Sequence, residues 1–152
     1  MGFLFFGKKK NKAPIPEPQP QPQPEQPKEP QRYTFWVAGV EDHQGPLRYD
    51  LTVYNEDFNE RGEDGDFVYK YVSNVDTVQL KETPDGMNVI ANEHFLIGFV
   101  PPENLPEVRR ILSEHLDAEI YCDVQGGEYK EYEGRKAVKG VEPFTAKVML
   151  KY

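Results

Sequence analysis

A mainly β fold, a small barrel or sandwich with a helix laid against it, is what three observations predict. Short apolar runs recur between Gly, Asn, Asp and Pro punctuation, the spacing of an all-β domain. One stretch, 105–116, carries an apolar stripe at helical spacing. Eight of the 14 prolines fall in the first 30 residues of the 152. The folded part, residues 32–152, therefore has room for one modest core and one domain.

Residues 1–31 are expected to be a disordered start followed by a Pro/Gln-rich linker. Met1 to Gly7 is apolar and Lys8-Lys9-Lys10 follows. Five apolar side chains are too few to span a bilayer, and a secretory signal carries its charge before the apolar run, not after it. Phe6 stands where a myristoylation pattern needs Ser or Thr. The segment reads either as an unstructured start or as a weak foot on an anionic membrane. From Pro14 to Pro30, proline alternates with Ile, Glu, Gln and Lys. Each ring fixes φ and pushes the preceding residue to extended angles, which makes a semi-rigid spacer.

Order is expected from Arg32. Tyr33–Val40 is aromatic and branched, and reads as a strand. Residues 41–46 read as a loop. From 47 to 54, Leu47, Tyr49, Leu51 and Val53 alternate with polar residues, the mark of a strand or the approach to a short helix over 55–61. Asp57, Asn59 and Gly62 fall at three calcium-loop positions, but Arg61 and Val68 occupy two ligand positions, so 55–66 reads as a solvated loop. Residues 67–72 and 77–80 are strand candidates with a turn at 73–76.

The stretch that organises the chain is 85–129. Asp85-Gly86 opens it, 87–91 and 94–100 are strands, and Asn92-Glu93 turns between them. Pro101-Pro102 ends the second strand because proline lacks the N–H a ladder needs. Asn104 and Glu107 have the spacing of a capping box, and Pro106 suits a first helical turn. Leu105, Val108, Ile111, Leu112 and Leu116 then line one face. A strand over 118–124 stops at Gln125-Gly126-Gly127. Near the C-terminus Phe144, Ala146, Val148 and Leu150 alternate with polar residues, facing a core with Lys147 and Lys151 in water.

Charge is uneven. Residues 1–32 hold six basic and three acidic side chains, 33–127 carry a net −13, and 128–152 carry +2. An acidic domain does not attract nucleic acid through its bulk field, so any such contact needs a local site. The single cysteine, Cys122, leaves no internal disulfide and suits a reducing, cytoplasmic compartment. His43, His94 and His115 are scattered, and no metal or other cofactor is expected. The chain has no P-loop, no Gly-x-Ser-x-Gly around Ser73 or Ser113, and no base beside Cys122 in sequence. It reads as a non-enzyme.

The order of pieces across 35–129 resembles the HIRAN domain family. FWVAGV (35–40) leads to His43-Gln44, then FVYKYV (67–72), VQLKETPDGMNVIA (78–91), IGFV (97–100), a helix, and GGEYK (126–130). The resemblance implies a small β-barrel of the OB or SH3-like kind with one or two α-helices. Family members on DNA-remodelling helicases capture the 3′ end of single-stranded DNA, with aromatic rings on the last bases and an Asp on the terminal hydroxyl. Carried over, the family's turn falls on 83–90, and Asp85 and Asn88 match it in type. Pro84 stands where the family has an aromatic residue, and two residues rather than one separate Asp85 from Asn88. Stacking then falls to Tyr49, Tyr69 and Tyr71, and a backbone track to Lys130, Arg135, Lys136 and Lys139. The expected function is a non-catalytic nucleic-acid-binding module reading a single-stranded DNA end. The alternative is a protein-interaction or scaffold domain on the same barrel.

Overall fold

The structure is a computed structural model that describes residues 14, 16–22, 24 and 27–152. The expectations for residues 1–13 lie outside the described residues. Those described between 14 and 30 have no regular secondary structure and are exposed. In chain order the elements are β1 (Arg32–Trp36), α1 (Gln44–Tyr49), β2 (Thr52–Tyr54), β3 (Phe67–Tyr69), β4 (Tyr71–Ser73) and β5 (Val78–Thr83). They continue with β6 (Gly86–Ala91), β7 (Phe95–Phe99), α2 (Leu105–Glu114), β8 (Glu119–Glu133) and β9 (Lys136–Lys151). Short 3₁₀ turns at 40–43 and 56–59 precede α1 and β3.

The frame is the antiparallel hairpin of β8 and β9, joined by the two residues Gly134 and Arg135. β1 adds to one side of β9 and β3 to the far side of β8, giving the order β1-β9-β8-β3. β5-β6-β7 form a second antiparallel sheet, and β2-β4 a third, two-stranded one. The alternation at 144–150 places its residues as expected. Phe144, Ala146, Val148 and Leu150 are buried while Lys147 and Lys151 stay partly open.

Two connections knit the sheets round one core. After β1 the chain leaves β9, and Ala38 and Phe99 exchange backbone hydrogen bonds of 2.9 Å, joining the first sheet to β7. β5 approaches β8 from the other side with no ladder between them, so no sheet closes on itself. The interior holds Phe35, Val89, Ile97, Val124, Val148 and Leu150. α2 lowers Val108 and Ile111 into it, each burial contributing about 1.5–3 kcal/mol.

Four local expectations are corrected. Residues 44–49 form a helix, not loop and strand. Leu47 and Leu51 are both fully buried, four apart, while Tyr49 is 73% exposed and Val53 points outward; that is helical spacing, not alternation. Residues 67–72 are two strands bent at Lys70, whose N–H donates to Glu128 of β8 while its carbonyl accepts from Asn55. Residues 125–127 do not end a strand. Gly126 lies within β8 opposite a bulge in β9, with φ +134°, where a Cβ would lie 2.5 Å from the Pro143 carbonyl oxygen. Pro143 belongs there too, since a bulge is where a strand tolerates proline. At α2, Asn104 makes no cap. Its amide donates instead to the Tyr33 hydroxyl at 2.7 Å, and Leu116 lies beyond the helix, 92% exposed.

Candidate nucleic-acid interface

In an antiparallel ladder directly opposed residues share a face. Lys81 opposes Asn88, Asn88 opposes Phe99, and Phe99 opposes Ala38, so these four make one row across β5, β6, β7 and the chain leaving β1. Trp36 lies two residues before Ala38 on the same face and opposes Lys147. The Lys147 ammonium stands 5.6 Å from the Trp36 ring centroid. Trp36 is 52% exposed and Phe99 nearly as open, although both come from strands whose neighbours are in the core. The Phe99 ring covers Gly39, which has φ +76°; a Cβ there would meet the ring at 2.6 Å. With Trp36 and Lys147 beside the row, the face presents two open aromatic rings and one amide, with Lys81 next to Asn88 and Lys147 next to Trp36. Exposed rings beside cations are what a base-stacking surface needs.

Asp85 is exposed in the two-residue turn Pro84-Asp85 that links β5 and β6. β1 and β6 run in the same direction, because each is antiparallel to β7 or its extension. Stepping back along β6 from Asn88 to Asp85 thus moves toward the same end of the sheets as stepping back from Ala38 to Trp36. At that end Asp85 and Trp36 lie on chains with β7 between them. Of the residues singled out in sequence, Asn88 lies on this face and Asp85 in the turn three residues before it, while Trp36, Phe99, Lys81 and Lys147 share the face with Asn88. Alternation alone does not tell which face of β1 is buried, so Trp36 carried no signal beyond its type.

The other residues lie elsewhere. Tyr69 packs edge-on against Phe67 and Tyr129, and its hydroxyl donates to Glu142 at 2.7 Å. Burial and the Glu142 carboxylate push its pKa up to about 12. Tyr71 meets Tyr54 edge-to-face at 6.4 Å and lines a separate cleft. Tyr49 projects from the end of α1 beside the Arg48 guanidinium. Lys130 is engaged: its ammonium donates to the Phe58 carbonyl and stands 4.2 Å from that ring's centroid. Arg135 lines a recess with Glu60, Glu63 and Asp64, and Lys136 and Lys139 are exposed along the hairpin. Of these basic residues, Lys130 is engaged by Phe58 and Arg135 faces acidic neighbours.

Arg109 and Arg110, beside α2's apolar stripe, are both paired. Arg109 holds Glu82 of β5 through two hydrogen bonds, 2.8 and 3.0 Å, and Arg110 bridges Glu107 and Glu114. Cys122 is buried, which pushes its thiol pKa up to about 12. Among the described residues no group of three or more His, Cys, Asp and Glu side chains is placed to hold a metal ion, and no helix is long and apolar enough to cross a membrane. No family model, no curated protein and no solved structure matches the chain.

Proposed function

We propose that residues 32–152 are a non-catalytic binding module of HIRAN-like type, a small OB/SH3-like barrel, that takes the 3′ end of single-stranded DNA across the face carrying Trp36 and Phe99. The carrying observation is that face itself: two exposed rings and Asn88, with Lys81 and Lys147 beside them. Trp36 and Phe99 stack on successive bases, and Asn88 hydrogen-bonds a base edge. The Asp85 carboxylate accepts the terminal hydroxyl and repels a terminal phosphate. The three sheets wrapped round one core support the barrel reading. Cys122, a lone buried thiol, supports a reducing, cytoplasmic setting.

With two lysines on the face, few phosphates are neutralised. The expected salt dependence is shallow, a log–log slope of about −1.4 for two contacts on a single strand. The sole tryptophan is itself the reporter. Titrating the full chain with short oligo-dT quenches Trp36 emission, and Phe99→Ala weakens the titration. Unchanged emission up to high oligonucleotide concentration at low salt counts against the proposal.

A second reading, a protein-interaction or scaffold domain, is favoured by the net −11 of residues 33–152 and by a mainly apolar cleft lined by Val40, Tyr71, Val141 and Phe144. Retained capture of a protein partner by Trp36→Ala, together with no DNA binding by the unaltered chain, supports it.

A further inference from the structure

From Lys136 to Glu142, β9 pairs with β8 along one edge only. β1 covers its other edge at 147–151, and Gln44 takes it at Phe144. The direction of the backbone groups follows from β8. Glu128 and Tyr132 turn theirs to the β3 side, where the Lys70 N–H donates to the Glu128 carbonyl and the Tyr132 N–H to the Asp66 carbonyl. Alternation leaves Tyr129, Glu131 and Glu133 to bond β9, at Gly140, Val138 and Lys136. Ala137, Lys139 and Val141 therefore aim their N–H and C=O groups at the open edge, where no described strand pairs with them. Val141 is 74% exposed and Val138 40%. An open edge of this kind is a template for another strand.

This edge is complementary to itself. Two antiparallel copies related by a two-fold axis through Lys139 set Ala137 opposite the partner's Val141 and Lys139 opposite the partner's Lys139. These are the outward-pointing residues, so each pair exchanges two N–H···O=C bonds. Lys136 then opposes the partner's Glu142, and Val138 opposes the partner's Gly140. The Tyr129 ring lies over Gly140, where a Cβ would come within 2.3 Å of it, and is stacked on Phe67 with centroids 4.9 Å apart. Each Val138 thus meets an aromatic ring of the other copy. Glu142 accepts the neutral Tyr69 hydroxyl at Oε2 and, like Lys136, has no ion-pair partner among the described residues. Moving the axis to Gly140 sets Ala137 against Pro143, which has no N–H, and Val138 against the Glu142 carboxylate. Moving it to Val138 sets Lys136 against Gly140 and loses both ion pairs. We propose that the chain forms a two-fold dimer through β9, a second copy adding its residues 136–142 antiparallel to the first. The interface is short, and the Lys139 pair on the axis opposes it. The dimer is therefore a weak one that forms and dissociates with concentration. It uses neither Trp36 nor Asp85 and stands apart from the proposed function.

Sedimentation equilibrium of the full chain, from micromolar to millimolar concentration, tests it. The expected result is a monomer–dimer equilibrium that Lys139→Thr shifts toward dimer. Lys136→Glu turns two ion pairs into like-charge pairs and raises the dimer Kd about tenfold. Adding Glu142→Lys to that variant restores the dimer, because the exchanged charges pair again. Lys139→Cys gives a disulfide-linked dimer on oxidation, since opposed hydrogen-bonded residues lie about 5.5 Å apart at Cα, within disulfide reach. Lys136→Cys, three residues from the axis, does not, and the native Cys122 is buried. An unaltered chain that stays monomeric at every concentration overturns the proposal. So does a dimer that ignores Lys136→Glu, or one that crosslinks equally in both cysteine variants.

Discussion

The side-chain amide of Gln44 takes the place of a strand partner for Phe144. Its Nε2 donates to the Phe144 carbonyl at 2.9 Å, and its Oε1 accepts the Phe144 N–H at 2.8 Å. The same Nε2 donates to the Val40 carbonyl, also at 2.9 Å. One residue thus satisfies the backbone of the β9 bulge and ties the turn before α1 to it. Removing it leaves half-buried groups unpaired. Gln44→Ala is expected to cost about 1–3 kcal/mol by urea denaturation with an unchanged m-value. Gln44→Glu sets a carboxylate against the Phe144 carbonyl and is expected to fall below the wild type too.

Two glycines in different settings give a matched pair of substitutions. Gly126→Ala forces a Cβ to 2.5 Å from the Pro143 oxygen at a positive φ, and is expected to cost about 2 kcal/mol or more. Gly45→Ala meets no distant neighbour, but the residue before Pro46 is disfavoured in the helical region once it carries a Cβ, which offsets the gain in helix propensity of about 0.5–1 kcal/mol. Thermal denaturation of the two variants, with a clear fall in Tm for Gly126→Ala and little change for Gly45→Ala, checks both.

Cys122 couples folding to alkaline pH. Its thiol pKa in the folded chain, about 12, lies above the ordinary 9.0 because burial disfavours the thiolate. The unfolded chain therefore loses this proton first. The stabilisation is complete below pH 9 and is lost as pH rises toward 12. Cys122→Ala is expected to flatten the fall in stability over that window. In the folded protein the thiol is expected to resist alkylation at pH 8 until denaturant is added.

The contact between β5 and α2 titrates at the acid end. The Arg109 guanidinium beside Glu82 holds its carboxyl below the usual range. That contribution is present above the ordinary carboxylate pKa and fades as pH falls through the lowered value. Glu82→Gln is expected to reduce the acid-side slope of stability against pH, with little change at neutral pH because the pair is exposed.

The elements that local chemistry specifies were legible in the chain. Pro101-Pro102 stops β7, Asn92-Glu93 adopts the left-handed turn between β6 and β7, and alternation marks the core face of β9 from Phe144 on. What was not legible depends on distant partners. Leu47 and Leu51 fit either period until burial shows that Tyr49 points out. Gly126-Gly127 reads as a strand end until β9 supplies two residues, Pro143 and Phe144, opposite Gly126. The candidate site behaves the same way. Asp85 and Asn88 were visible because a turn and its strand are local. Trp36 and Phe99 join them only through the Ala38–Phe99 bridge, a contact between residues 61 positions apart.

Fluorescence anisotropy with chemically distinct 3′ ends separates an end reader from a backbone binder. Two single-stranded oligonucleotides of one sequence, ending in a 3′-hydroxyl or a 3′-phosphate, are titrated with the full chain at low and moderate salt. Binding is expected to be tighter to the hydroxyl end and to lose that preference in Asp85→Ala. Trp36→Ala is expected to reduce affinity about 5- to 150-fold, the worth of one stacked base. Equal binding to both ends that fades with salt and ignores Trp36→Ala, or no binding at low salt, rules out end recognition on this face.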